Sequence, residues 1–344
     1  MTNQQCRWGI LGTANIAPKY VRAMHAVDNA TPHAIASRTR SKADAFAKEH
    51  RVTMACDDYQ AIVDHPDIDA VYIPLPTAMH GEWTRRCAEA GKHVLCEKPL
   101  GRSIEEVDEM ISACNSAGVQ LMDGVMFMHH ARLDEVRKRL PDLGDRPTYM
   151  HSSHTFRASD EFFSSNIRVN PDAEPLGCVG DLAWYNVRFS IWVMDEMPTA
   201  VRGRFHSTVN GIPTHATAEL EFKNGCISTI HSSFIHSGKE SFEISGERGT
   251  MLLKDFVHGP KKVSKIHRSG IYNDDKTRIV KPAESFLTRG CSQEAEMLRT
   301  MSAISLGAQS VDRYWPQIAR DTQQVIDLIM ASARDNGTTI TLSS

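Results

Sequence analysis

Apolar positions in the first third of the chain come in short runs separated by longer stretches of helical period. The runs fall at residues 8–11, 34–37, 70–75, 93–96 and 119–122. Between them, residues 41–50 and 78–90 carry apolar side chains at the spacing of an amphipathic helix. Short strands alternating with helices predict βαβ units with right-handed crossovers, hence a doubly wound parallel sheet. The punctuation agrees. Gly91 and Gly118 follow helical segments, where a left-handed cap favours glycine. Ser103, with Glu106 three residues on, reads as a capping box for a helix over 104–117.

From about residue 149 the period changes to two. Strands are expected at 148–156, 201–207, 216–222, 226–234, 241–246 and 250–254, and helices at 182–192, 292–305 and 316–333. Asn224-Gly225 marks a hairpin turn. The pattern implies an α/β domain over 1–124 and an α+β domain over 125–344 with a large, mostly antiparallel sheet. The last helix is expected to pack back on the first domain. Residues 257–287, rich in Gly, Lys, Arg and Pro, read as a long exposed loop.

The chain has 344 residues, enough for two domains with their own cores. It is 41% hydrophobic and 24% charged, the composition of a soluble globular protein. A net charge of −3 points to neither nucleic acid nor an anionic membrane. No apolar stretch approaches the ~20 residues that span a bilayer. The N-terminus runs straight into a strand without a secretory pattern, so a cytoplasmic protein is expected. Eight scattered cysteines show no CxxC and read as reduced thiols. Sixteen histidines contain no HExxH, and no metal site is expected.

The first strand ends at Gly12-Thr13-Ala14-Asn15-Ile16-Ala17, a G-x-G-x-x-G/A pattern with alanine at its second position. Gly12 suits the tight turn, Ala14 the approach to a pyrophosphate, and Ala17 close helix–strand packing. The following helix N-terminus favours an anion through its free N–H groups and dipole. The second strand ends at Ser37-Arg38, where an NAD site usually carries a carboxylate. Ser37, Arg38, Arg40 and Lys42 stand there instead, the donors a 2′-phosphate wants, so NADP is favoured over NAD. The loop over 73–80, with Pro74, Leu75, Thr77 and His80, follows the fourth strand and should border the cofactor. His80 either lines that site or satisfies the helix start. Lys98 follows the next apolar run between Glu97 and Pro99, placed to handle protons beside a nicotinamide.

GILGTANIA, VYIPLPTAMHGEWTRRCAEAGKHVLCEKPL and GVMFMHHAR together resemble the glucose–fructose oxidoreductase/inositol dehydrogenase (Gfo/Idh/MocA) family. The resemblance spans the chain. FFSSNIRVNPDAEPLGCVGDLAWYNVR is similar to the xylose dehydrogenase and dimeric dihydrodiol dehydrogenase branch. It implies a Rossmann domain followed by an open-faced sheet that mediates homodimers or homotetramers. It implies hydride exchange between nicotinamide and a sugar, polyol or related alcohol. The family's catalytic lysine falls on Lys98, its aspartate on Asp181 and its tyrosine or histidine on Tyr185, with Glu97 near the nicotinamide. Departures are Leu176-Gly177-Cys178-Val179-Gly180 in place of a glycine run, Ala183 where glycine is common, and His130-Ala131 in place of His-Pro.

Asp181, Tyr185 and Arg188 are spaced to share a face of the expected helix. Asn166, Arg168, Trp184 and Tyr185 are candidates to contact substrate; a tryptophan there equally suits a core. Lysine near ~10.4 and tyrosine near ~10 both need tuning to work at neutral pH, and either one suits the proton step. Two other readings remain open: an NADP-binding sensor without turnover, and a redox-neutral glycosidase using NAD.

Overall fold

The computed structural model describes residues 4–259, 263–274, 277–289 and 292–342. The chain divides into two compact units, Met1–Met126 with Ser292–Gln323, and Phe127–Cys291 with Gln324–Ser344.

The first unit opens with β1 (Cys6–Leu11), α1 (Ala17–Ala26), β2 (Ala30–Ala36), α2 (Arg40–His50), β3 (Met54–Cys56) and α3 (Tyr59–Val63). It continues through β4 (Ala70–Ile73), α4 (His80–Glu89), β5 (His93–Cys96), α5 (Ile104–Ala117) and β6 (Leu121–Asp123). The six strands pair in parallel in the order β3-β2-β1-β4-β5-β6. This is the expected doubly wound sheet. All four residues of β4 are buried, as a parallel strand covered on both faces requires. The strand order reverses between β1 and β4, and ligands of such sheets bind beyond the carboxyl ends at that switch. β3 was not among the expected runs, because three residues are too few to show a period.

Ser103 caps α5 by accepting from the Glu106 N–H at 3.5 Å. The Glu106 carboxylate reaches back one residue further than a capping box predicts, to the Arg102 N–H at 2.7 Å. Gly118 ends the helix at φ 68°.

The second unit starts with α6 (Arg132–Arg139), β7 (Tyr149–Arg157), α7 (Asp160–Ser165) and α8 (Trp184–Met194). Strands β8 (Ala200–Val209), β9 (Ile212–Glu221), β10 (Ile227–Ser233), β11 (Ile235–Gly246) and β12 (Gly249–Leu253) follow. Then come β13 (Val263–Asp274) and β14 (Thr277–Arg289). With β15 (Ile340–Thr341) these form a nine-stranded sheet in the order β14-β13-β12-β11-β7-β10-β9-β8-β15. Among the described residues, only the β7–β10 pair of this sheet is parallel.

The long loop expected over 257–287 is corrected by β13 and β14, which pair antiparallel along most of their length. β-branched residues there, at 263, 266, 271, 277, 279, 280 and 288, follow no period of two, and charged residues are frequent between them. Residues 260–262 and 275–276 of that segment lie outside the described residues. The Asn224-Gly225 turn is a three-residue loop: the Gly225 N–H reaches the Phe222 carbonyl at 2.8 Å, and Gly225 takes φ 81°.

Every residue of α8 except Trp192 is buried, so the helix has no solvent face. It packs on the face of the sheet carrying Met150, Ala218, Ile230 and Phe242, and Ser190 Oγ meets Ser228 Oγ at 2.8 Å.

Two last helices are α9 (Gln293–Ser305) and α10 (Tyr314–Arg334). Within the first unit, Trp8 Nε1 donates to Ser302 Oγ at 3.0 Å in the core, and Arg320 grips Asp108 through bonds of 2.6 and 2.9 Å. The far end of α10 belongs to the second unit. There Gly203 faces the Ile329 carbonyl, and a Cβ on it would stand 2.3 Å from that oxygen.

Candidate active site

In the first unit, the loops leaving β1, β4 and β5 gather the expected cofactor residues at the carboxyl edge of the sheet. Gly12 takes φ 106°, which an L side chain rarely adopts, and its N–H bonds the Ala36 carbonyl at 2.8 Å. A Cβ there would lie 3.1 Å from Leu75 Cδ2, so the turn after β1 and the loop after β4 approach closely. Thr13, Ala14, Asn15 and Ile16 are partly or fully exposed before α1. This bare turn beside a helix start is a cradle a side chain would fill, and it fits a dinucleotide pyrophosphate.

At the end of β2, Ser37 is buried while Arg38 and Lys42 are exposed. Arg40 is committed elsewhere. Its guanidinium bonds Asp44 at 2.9 Å and Asp57 at 2.7 Å, and the two carboxylates raise it well above the usual arginine value. Among the described residues, Arg38 has no ion pair. Of the two arginines, Arg40 alone is held by carboxylates among the described residues.

Pro74 and Thr77 are buried behind the β4 loop. His80 is buried, with Nδ1 3.0 Å from the Pro99 carbonyl and Nε2 2.8 Å from the Leu75 carbonyl. It ties the β4 loop to the turn that carries Lys98. The Lys98–Pro99 peptide is cis. Tyr72 Oη donates to Glu97 Oε1 at 2.7 Å, and the Lys98 N–H meets Glu97 Oε2 at 3.3 Å. Burial first, then the neighbouring Glu97 carboxylate, pushes the Tyr72 phenol well above its usual value, so it stays a donor. Lys98 is half-buried at the mouth of this arrangement.

In the second unit, Asp181 does not lie on α8. It sits in a π-helical turn, Val179–Ala183, that precedes the helix. The shared-face spacing with Tyr185 and Arg188 therefore does not hold as ordinary helical periodicity. Such turns carry an extra residue and recur at functional sites. Arg168 Nε donates to Asp181 Oδ2 at 2.9 Å, and that carboxylate holds Arg168 above its ordinary value. Asn166 Oδ1 accepts from the Arg168 N–H at 3.0 Å, capping a short turn over Ile167–Val169. Trp184 is fully buried, with the Arg188 guanidinium carbon 5.9 Å from its ring centre. The ring packs inside the protein, the core environment that the sequence left open beside a place against substrate.

Tyr185 is 6% exposed, its ring 5.4 Å from that of His154 and 6.1 Å from that of Phe127. The sequence did not single out His154. It points to the α8 side of β7, and one ligand atom each from His154, Glu240 and His258 lies within 4.8 Å of the others. Glu240 accepts from the Val257 N–H at 2.6 Å, the His258 N–H at 2.5 Å and His258 Nδ1 at 2.7 Å. Burial opposes ionisation of Glu240, but these bonds outweigh it and hold its carboxyl below the usual range.

The parallel sheet, the glycine turn at its switch point and the lysine after β5 define a dinucleotide-dependent oxidoreductase. Comparison with known proteins narrows the class. Residues 6–125 match the Gfo/Idh/MocA profile described as "Oxidoreductase family, NAD-binding Rossmann fold", and residues 142–252 match the Gfo/Idh/MocA C-terminal domain. The chain belongs to the Gfo/Idh/MocA oxidoreductase family. It is 32% identical over 227 residues to D-xylose 1-dehydrogenase (NADP(+)) 2 of Haloferax volcanii, covering 66% of this chain and 69% of that one. It is 28% identical to the scyllo-inositol 2-dehydrogenase (NADP(+)) of Bacillus subtilis, covering 82% and 87%. A 3-ketoreductase from Actinomadura kijaniata, solved with NADP and TDP-benzene, shares the fold with a TM-score of 0.85 at 23% identity, covering 96% and 98%.

Proposed function

We propose that the chain is an NADP-preferring dehydrogenase or reductase acting on a sugar, polyol or related alcohol or carbonyl compound. The observation that carries this reading is Lys98 on a turn braced by Glu97, Tyr72 and His80 at the carboxyl edge of the parallel sheet. The xylose and inositol dehydrogenases named above support the substrate class, and their NADP dependence supports the cofactor.

When bound, the nicotinamide supplies the hydride donor or acceptor. The chain's own groups bind, orient and move the proton. Gly12 to Ile16 receive the pyrophosphate, and Ser37, Arg38 and Lys42 receive the 2′-phosphate. Pro74, Leu75, Thr77 and His80 shape the wall of the nicotinamide half, and Glu97 fixes the turn carrying Lys98. In the alcohol-oxidising direction Tyr185 Oη or Lys98 Nζ takes the hydroxyl proton; in the reducing direction the same atom returns it. Asp181, held by Arg168, orients the substrate hydroxyls and supports the charge that develops there. Asn166 holds the Arg168 backbone. His154 packs against Tyr185 and limits its motion.

The proposed division of labour gives the cofactor to the region through about residue 124 and the substrate to the region from about 125. Homodimers or homotetramers through the nine-stranded sheet, and a cytoplasmic location, complete the reading. The test is nicotinamide absorbance with purified full chain, NADPH or NADP+, and a panel of aldoses, ketoses, polyols and dihydrodiols. Turnover with at least one member is expected. Cofactor binding without turnover across the panel contradicts the reading.

A further inference from the structure

The second unit carries a group of histidines on the face of its sheet opposite α8. His231 on β10 pairs with Thr217 on β9 and with Ser153 on β7. His215, two residues before Thr217, therefore lies on the same face. His236 enters from the first residues of β11, where pairing with β7 is irregular between Ile235 and Lys239. The three rings converge, with centres 4.5 to 5.2 Å apart.

We infer that His215, His231 and His236 form a binding site for a divalent transition cation of borderline softness, such as Zn2+. One nitrogen from each ring lies within 4.8 Å of the other two. His231 Nε2 and His236 Nδ1 are already 3.0 Å apart. A cation with metal–nitrogen bonds of ~2.0–2.1 Å holds neighbouring ligand nitrogens roughly 3–3.5 Å apart. Small side-chain rotations of half-buried rings bring His215 to that distance.

The surroundings suit ligation. Ser153 Oγ, 1% exposed, lies 3.2 Å from His231 Nδ1 and holds the ring so that Nε2 faces the other two histidines. Ligating histidines characteristically have their second nitrogen fixed in this way. The donor set is nitrogen alone, which selects Zn, Co, Ni or Cu over Mg or Ca. The His206 ring lies tilted 4.5 Å from that of His215, but its Nε2 lies 2.8 Å from Thr217 Oγ1. An open groove of about 360 Å³, lined in part by His206, His231 and Arg202, gives a hydrated ion access. Three protein ligands leave a position for water. The bound ion clips the irregular start of β11 to the regular β9–β10 ladder.

The cluster of His154, Glu240 and His258 is the natural comparison. Its carboxylate already accepts three hydrogen bonds and its buried histidine packs on Tyr185, so it belongs to the candidate active site.

The test uses tag-free, chelator-treated full chain titrated with Zn2+ by calorimetry, and with Co2+ by visible absorption. One ion per chain is expected, with a rise in melting temperature. His215→Ala, His231→Ala and His236→Ala each weaken binding at least about tenfold, and Ser153→Ala weakens it about tenfold. His154→Ala leaves it unchanged. Anomalous diffraction at the zinc edge, which needs no variant, places the ion between the three rings. Absence of saturable binding, binding indifferent to all three substitutions, or binding lost in His154→Ala instead overturns the inference.

Discussion

Arg38→Ala tests how the chain selects its cofactor. The end of β2 offers two arginines, but only one is available. Arg40 spends its guanidinium on Asp44 and Asp57, whereas Arg38 is exposed and has no ion pair among the described residues. A charge-assisted hydrogen bond contributes about 1.5–3 kcal/mol, or about 10- to 150-fold in affinity. Arg38 faces solvent, so screening places its contribution near the lower end, about tenfold. The expected result is therefore an NADPH dissociation constant raised about tenfold with that of NADH unchanged. Fluorescence titration of both reduced cofactors at two salt concentrations measures it, and the gap between wild type and variant should shrink at the higher salt. Arg40→Ala should change NADPH affinity less than about threefold. Ser37→Asp, which puts a carboxylate opposite the 2′-phosphate, should reverse the preference. An equal loss of NADH and NADPH affinity in Arg38→Ala, or none at all, refutes the reasoning.

Gly12→Ala forces a side chain to φ 106° and against Leu75, at a cost of about 1–3 kcal/mol; urea unfolding should show the loss and NADPH titration a weaker site. A variant as stable and as tight as wild type contradicts the cradle. His129 is lowered from 6.5 to about 3, by burial first and then by the Arg188 charge. The unfolded chain protonates this histidine first, so stability present above pH 6.5 is lost as pH falls towards about 3, by at most about 5 kcal/mol. His129→Gln should flatten that part of the stability–pH curve, and a curve of unchanged slope sinks the assignment. Arg168→Ala should lower kcat/KM for the sugar substrate about tenfold with NADPH affinity intact, and Arg168→Lys should restore only part of it, because lysine keeps the charge but not the planar fork. Equal effects on cofactor and substrate would assign Arg168 a purely structural role.

The parallel sheet was legible because its signals are local. Gly12, Gly91, Gly118 and Ser103 mark turns and caps within a few residues of the elements they bound. The sheet of the second unit was legible where one face is apolar, as in β9 with its buried Ala216, Ala218 and Leu220. It was not legible in β13 and β14, where apolar residues follow no period of two and charged residues are frequent. The π turn at Asp181 has no sequence signature, since its extra residue changes the helical count without changing the residue types. Trp184 suits substrate or core equally by sequence, and its burial is visible only in the structure. His154, Glu240 and His258 come from separate stretches of chain, and His215 lies a strand away from His231 and His236. Neither group has a motif spacing; strand pairing brings each together.

The central claim is that Lys98 takes part in the proton step of a hydride transfer. Single-turnover kinetics of Lys98→Met, with NADPH or NADP+ and a substrate found in the panel, test it most directly. The account predicts a rate at least about 100-fold below wild type, with NADPH affinity within about threefold, since proton transfer contributes about 10²–10⁴. A Lys98→Met enzyme that transfers hydride at the wild-type rate contradicts it.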